Sequence, residues 1–187
     1  MYIVPIIGMA GSGKTTQASL LKANGYITIS TGDLLRTLSK SSASIRRQIE
    51  SGYRVSPAIT SRLIALELHK HKDRSIVVLD GSPLSIEELS CLRKDLKPLG
   101  ATITMIIHLC VGASVAKQRS IDRGRDDDNA DILDAKIQNF YKYTKPLLEH
   151  PSVRVVNVNA CQSKEWVSNE VINCISNLSV STREKKN

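Results

Sequence analysis

With 187 residues, the chain is long enough for one domain with its own hydrophobic core. Apolar residues make up 41% and aromatics only 4%, so the core must be aliphatic, and no apolar run reaches the length that crosses a bilayer. A formal charge of +8 points to an anionic partner, but the basic residues are dispersed and the aromatics too few for a stacking platform, which favours nucleotides over nucleic acid.

The opening residues 3–7 form a continuous apolar strand that contains Pro5. They lack the basic flank and small-residue cleavage site of a leader. Helical spacing follows over 14–23, and a short β-branched strand over 26–30. Three helical segments come next, at about 32–38, 43–51 and 57–71. Pro57 suits a first helical turn behind Ser56 as N-cap. A buried strand is expected at 75–79, and a helix at 85–96 with Ser85 and Glu88 spaced as a capping box. Another buried strand spans 103–109, a helix 112–122, and one long helix 131–149. The last strand is 153–158 and the last helix 163–178, followed by a charged tail from about 180 to 187, expected to be disordered. Five apolar strands separated by helices predict an α/β fold with a parallel sheet covered on both faces. The excursion between the second and third strands exceeds what a crossover needs, and suits an inserted substrate-binding subdomain. Cys91, Cys110, Cys161 and Cys174 show no CxxC spacing and the histidines no HxxxH pair. They are expected to be separate, reduced, mostly buried thiols of a cytoplasmic protein, with no metal site among them.

Gly8-Met9-Ala10-Gly11-Ser12-Gly13-Lys14-Thr15 satisfies GxxxxGK[ST] in full, between the first strand and the first helix. The glycines allow successive backbone N–H groups to face one concavity, and the helix N-terminus adds positive potential. Lys14 is placed to reach β- and γ-phosphates, and the Thr15 hydroxyl to bind Mg²⁺, with Thr16 beginning the helix beside it. Asp80 ends the third strand, where a carboxylate would hold the Mg²⁺ shell. Alone, Asp80 before Gly81 is an ordinary turn residue; beside this loop it is a metal candidate.

Three further stretches carry a resemblance: STGDLLR from Ser30 to Arg36, Asp80-Gly81-Ser82-Pro83, and Arg119 followed by Arg123-Gly124-Arg125-Asp126-Asp127-Asp128, with Tyr141 and Thr144-Lys145-Pro146 downstream. In this order the chain resembles the adenylate kinase family of nucleoside monophosphate kinases, from about residue 3 to 160. The resemblance implies a single P-loop kinase domain over 1–187. Its fold is α/β, a doubly wound five-stranded parallel sheet of order 2-3-1-4-5. It implies a monophosphate-binding subdomain at about 31–72 and a very short lid at about 119–130. The implied reaction moves the γ-phosphoryl group of ATP to a nucleoside monophosphate, AMP foremost, with Mg²⁺, in a protein expected to be monomeric. Arg36 would grip the acceptor's phosphate. Thr31, Gly32, Gly52, Val55 and Gly81 would line the acceptor. Arg119 would stack on the ATP adenine, and Arg123, Arg125 and Lys136 would clamp the phosphates. Each also has a plainer reading. Arg119 and Arg123 stand four apart, a common solvated pattern, and Asp127 and Asp128 suit the start of the next helix.

The chain departs from the family at two acceptor positions. Leu84 stands where the family's DGFPR has arginine, and Glu88 where a glutamine reads adenine. A carboxylate only accepts hydrogen bonds, so Glu88 either meets the base or merely closes its capping box. Thr31 favours AMP, whereas Glu88 suits guanine's donors better. Two rival readings remain open: a kinase for GMP, UMP, CMP or a deoxynucleotide, and a nucleotide-binding protein with weak transfer and a regulatory or RNA-related role.

Overall fold

The computed structural model of the chain describes residues 1–124 and 130–183. Strands β1 (Tyr2–Ile7), β2 (Ile27–Ser30), β3 (Ile76–Asp80), β4 (Thr102–Ile103), β5 (Ile106–Cys110) and β6 (Val155–Asn159) form one sheet. The order is β2-β3-β1-β5-β6, all parallel, with β4 paired to β1. With β4 and β5 counted as one interrupted strand, this is the expected 2-3-1-4-5 order.

The interruption has a local cause. The Ile3 carbonyl accepts from the Thr104 N–H at 3.3 Å, so alternate residues of β1 face this neighbour. The next such residue is Pro5, which has no N–H to offer. β1 pairs with β4 at Tyr2 and Ile3, then with β5 only from Ile6 onward. The single strand expected at 103–109 is therefore broken at residues 104–105.

Both faces of the sheet are covered, which is why its strands are apolar throughout. On one face α1 (Lys14–Ala23) and α9 (Lys164–Arg183) bring Leu21, Val167, Val171 and Ile175 onto Val4, Ile6, Val78 and Ile107. On the other, α4 (Pro57–His69) and α5 (Ile86–Leu96) pack Ile64, Leu68, Leu92 and Leu96 on Ile3, Ile29, Val77 and Leu79. Successive residues Ile3 and Val4 thus point to opposite faces, and neither is exposed. Each such side chain contributes about 1.5–3 kcal/mol of burial.

The insertion between β2 and β3 is α2 (Thr31–Ser39), α3 (Ala43–Glu50) and α4. Ser30 and Ser42 accept from the N–H groups of Asp33 and Ile45 to start the first two helices. Ser56 holds the cap position of α4 without a side-chain bond, and Pro57 sets the first turn instead. After β5 come α6 (Ala113–Arg123) and α7 (Ala130–Asn139). The long helix expected at 131–149 is in fact α7, a π turn over Phe140–Thr144, and α8 (Lys145–Leu148). Pro146 cannot complete an α-helical bond to residue 142, and the wider turn lies directly before it. At the far end α9 continues to Arg183, past the end expected at 178, and residues 184–187 lie outside the described ones. No cysteine is buried, contrary to expectation: all four are free, Cys161 exposed and the others half-buried, on strand ends and helix flanks. Among the described residues no helix is long and apolar enough to cross a membrane.

Candidate active site

The loop after β1 folds as its glycines require. Gly11 has φ +80°, and a Cβ there would lie 1.9 Å from the Ala116 carbonyl oxygen. Gly13, at φ 97°, caps α1, and a Cβ there would meet nothing within 4 Å. The loop is thus packed tightly against α6 on one side and open on the other, where an anion at the α1 N-terminus belongs. Ser12 is buried beneath it. Lys14 Nζ donates to the carbonyls of Gly8 at 2.8 Å and Met9 at 2.7 Å, which holds the ammonium at the rim of the loop. Thr15 Oγ1 donates to Asp80 Oδ2 at 3.1 Å. The register of β3 beside β1 sets Asp80 opposite Ile6 and leaves it 4% exposed. A hydroxyl and a carboxylate so placed are hard oxygen donors of the kind Mg²⁺ takes.

A cavity of about 300 Å³ extends from this loop to the inserted helices. It gathers most of the residues singled out from sequence: Gly8, Ala10, Lys14, Thr15 and Asp80 at one end, and Thr31, Gly32, Arg36, Gly52, Val55, Gly81 and Glu88 at the other. Arg123 and Lys136 reach the same space. A second cavity, of about 190 Å³, opens on Gly11, Gly13, Lys14, Thr15, Thr16 and Arg123. Arg36 pairs with Asp33 at 2.6 Å, and its guanidinium lies against Gly32. Thr31 is 4% exposed, and its hydroxyl has no hydrogen-bond partner among the described residues. Buried polar groups are ordinarily paired, so this one is available to a ligand.

Arg119 and Ser12 do not line these cavities. Arg119 Nη1 instead donates to the Ala160 carbonyl at 2.8 Å, near the end of β6. Arg123 ends α6, and Gly124 at φ 65° closes the helix. Arg125 and Asp126, Asp127 and Asp128 lie outside the described residues, as does the middle of the expected lid, 125–129.

Glu88 does more than either expectation allowed. It is 4% exposed, and Ser85 Oγ accepts from its N–H at 3.1 Å, which starts α5. The carboxylate returns to the N–H of Leu84 at 3.2 Å, not to that of Ser85. Ser82 Oγ donates to Oε1 at 2.5 Å, and Arg54 Nη2 donates to Oε2 at 2.9 Å. Arg54 also lies 4.9 Å from the centre of the Tyr143 ring and lines the large cavity. Sequence reasoning passed over Arg54 although it sits between Gly52 and Val55. The available signal was a lone basic residue in a stretch already assigned to the acceptor. Asn139, which lines the same cavity, was also missed, and Thr144, which lines it too, was named only as part of the resemblance with no role in the site. Asn139 Nδ2 donates to the Gly52 carbonyl at 3.2 Å and Thr144 Oγ1 to the Leu84 carbonyl at 2.9 Å, tying the insertion and the β3–α5 turn to the helices after β5.

Behind the loop, His108 on β5 shares a hydrogen bond with Asn157 at 2.9 Å and stacks on Phe140. Burial lowers the His108 pKa below its usual 6.5; the Asn157 bond opposes the shift and the Lys14 charge adds to it. Cys110 lies 3.3 Å from His108 Nδ1, and burial raises its thiol pKa, so it is held as an unreactive thiol.

Residues 6–155 match the family model described as adenylate kinase. The chain is 30% identical over 168 residues to an adenylate kinase of Corynebacterium urealyticum, covering 87% of this chain and 93% of that one. It is 27% identical over 177 residues to one of Nocardia farcinica (92% and 98% covered), and 28% identical over 177 residues to one of Prochlorococcus marinus (91% and 96% covered). A phosphate loop facing an inserted helical segment across one cavity, and a match over most of the chain, lead to one conclusion: the chain belongs to the adenylate kinase family of phosphotransferases.

Proposed function

We propose that the chain transfers the γ-phosphoryl group of ATP to AMP, forming two ADP. The observation that carries this reading is the single cavity lined at one end by the phosphate loop and at the other by the inserted helices. An oxygen of the acceptor phosphate attacks the γ-phosphorus, and the bond from γ-phosphorus to the bridging β-oxygen breaks. The protein's task is to hold the two oxygens in line and to neutralise charge. The loop N–H groups and Lys14 hold the β- and γ-phosphates, Arg36 holds the acceptor phosphate, and Arg123 and Lys136 face the transferring group. Arg125 joins them on sequence grounds. Mg²⁺, when bound, neutralises charge on the β- and γ-oxygens, and Thr15 and Asp80 are the residues that would hold it. Thr31 and Gly32 lie by the acceptor nucleoside, with Gly52, Val55 and Gly81 around it. The unpartnered Thr31 hydroxyl supports a ligand there.

ADP formation from Mg·ATP with AMP, GMP, UMP and CMP in parallel tests this. AMP should be the fastest acceptor, and Lys14→Ala and Arg36→Ala should each lower kcat/KM about a hundredfold or more. Turnover with another monophosphate but not with AMP overturns the acceptor. Near-normal rates in either variant overturn that residue's role.

A further inference from the structure

We propose that Arg54 and Glu88 act together as the reader of the acceptor's adenine, Arg54 supplying the donor and Glu88 the acceptor. The inference rests on AMP being the acceptor substrate.

Adenine presents an amino donor beside a ring-nitrogen acceptor, and a single amide side chain satisfies both. Glu88 cannot do so alone, because an ionised carboxylate has no proton to give. The structure places a guanidinium on that carboxylate. Arg54 Nη2 and the Leu84 N–H converge on the same oxygen, Oε2, at 2.9 and 3.2 Å. Both Arg54 and Glu88 line the cavity that contains Thr31 and Arg36. Three bonds occupy the carboxylate, from Ser82, Leu84 and Arg54, while a carboxylate offers about four lone-pair sites. One acceptor site therefore remains on Oε1. Arg54 has five N–H donors and spends one on Oε2, so donors remain on a guanidinium bound to the other oxygen of the same carboxylate. The result is a donor next to an acceptor, the arrangement of an amide built from two side chains.

The pair is also held rigidly. Glu88 is fixed by Ser82 and by its own place in the first turn of α5, and its side chain is 5% exposed. Arg54, 22% exposed, is held over the Tyr143 ring. A solvated surface pair would have neither restraint. Guanine, which offers two adjacent donors, meets one acceptor and one like-for-like clash in this arrangement, so the pair selects for adenine.

Steady-state rates and KM values with AMP and with IMP test the pairing, because hypoxanthine reverses the pattern by carrying an N–H and a carbonyl. In the unaltered protein AMP should be preferred, and removing a ring nitrogen beside the amino group, as 1-deaza-AMP or 7-deaza-AMP, should raise KM about tenfold for one of the two analogues. Arg54→Leu should raise the AMP KM by about tenfold or more, leave the ATP KM within about twofold, and abolish the penalty of the deaza analogue. The double variant Arg54→Leu with Glu88→Gln should recover most of the lost AMP affinity, since one amide then supplies both contacts. A purely structural pair also gains when Glu88→Gln removes the stranded carboxylate, but only a base-reading amide brings back the penalty of the deaza analogue in the double variant. Unchanged AMP KM and AMP-to-IMP preference in Arg54→Leu overturns the proposal, as does a double variant no better than the single one. If neither deaza analogue is impaired in the unaltered protein, the proposal falls whatever the variants do. If the unaltered protein turns over another monophosphate but not AMP, the acceptor assignment falls and this inference with it. Turnover of AMP with indifferent variants overturns the pairing alone.

Discussion

Gly11 and Gly13 are two positions apart and are glycine for different reasons. At Gly11 a methyl group would strike the backbone oxygen of Ala116 at 1.9 Å, so the constraint is packing between the loop and α6. At Gly13 the space is open, and the constraint is φ 97° together with the room an anion needs. Gly11→Ala should therefore destabilise the fold by about 1–3 kcal/mol, since the clash is with backbone that cannot rotate away. Each kcal/mol lowers the melting temperature of a domain this size by about 2–4 °C. An unchanged thermal melt would contradict this packing role. The loop was legible from sequence because its chemistry is local: eight consecutive residues carry the turn, the cradle and the lysine. Arg54 was not, because its partner lies 34 residues away and an arginine beside a glycine in a loop is ordinarily solvated. Glu88 was half legible. Its cap spacing was visible, but Ser82, Leu84 and Arg54 converging on its carboxylate was a tertiary fact.

At the scale of elements, α5 ties local capping to the acceptor wall. Ser85 starts the helix by accepting from the Glu88 N–H, and the same residue's carboxylate anchors Arg54. Ser85→Ala should cost about 1 kcal/mol, the usual value of a lost N-cap. A thermal melt checks the loss, and a drop indistinguishable from zero would show that the Leu84 and Ser82 bonds suffice to start the helix. Boundaries were legible where a side chain marks them, as at Ser30, Ser42 and Ser85. They failed where the backbone decides. Periodicity joins residues 103–109 because every side chain suits a strand, but the missing N–H belongs to Pro5 on the neighbouring strand. A sequence window cannot contain both partners of a ladder.

For the whole molecule, the parallel order around β1 puts the strand ends bearing Asp80, Ser30 and the loop after Ile7 on one edge, and the cavity opens there. The parallel sheet with both faces covered followed from apolar strands alternating with helices, whereas the strand order was implied by the family resemblance. Stability as a whole should depend on pH through His108. Its folded pKa lies below 6.5, so between the two values the unfolded chain binds more protons than the folded one. Stability is then fully present above about pH 6.5 and falls as the pH drops through the folded pKa. Denaturant melts of the chain and of His108→Gln from pH 7.5 to 5 should show a shallower acid-side decline in the variant. Parallel profiles would remove His108 as a contributor.

The π turn over Phe140–Thr144 has a bearing on how much change this stretch tolerates. Such a turn amounts to a helix carrying one residue beyond its regular winding. The wide winding absorbs that residue, so α7 and α8 keep their faces; one more residue inserted there would have no such outlet and would swing everything after it by about 100° around the axis. Leu147, with no exposure, would leave the core, and Thr144 would turn away from the Leu84 carbonyl. Chain length is therefore under tighter constraint than residue identity between Phe140 and Thr144, where Tyr141 and Lys142 are exposed.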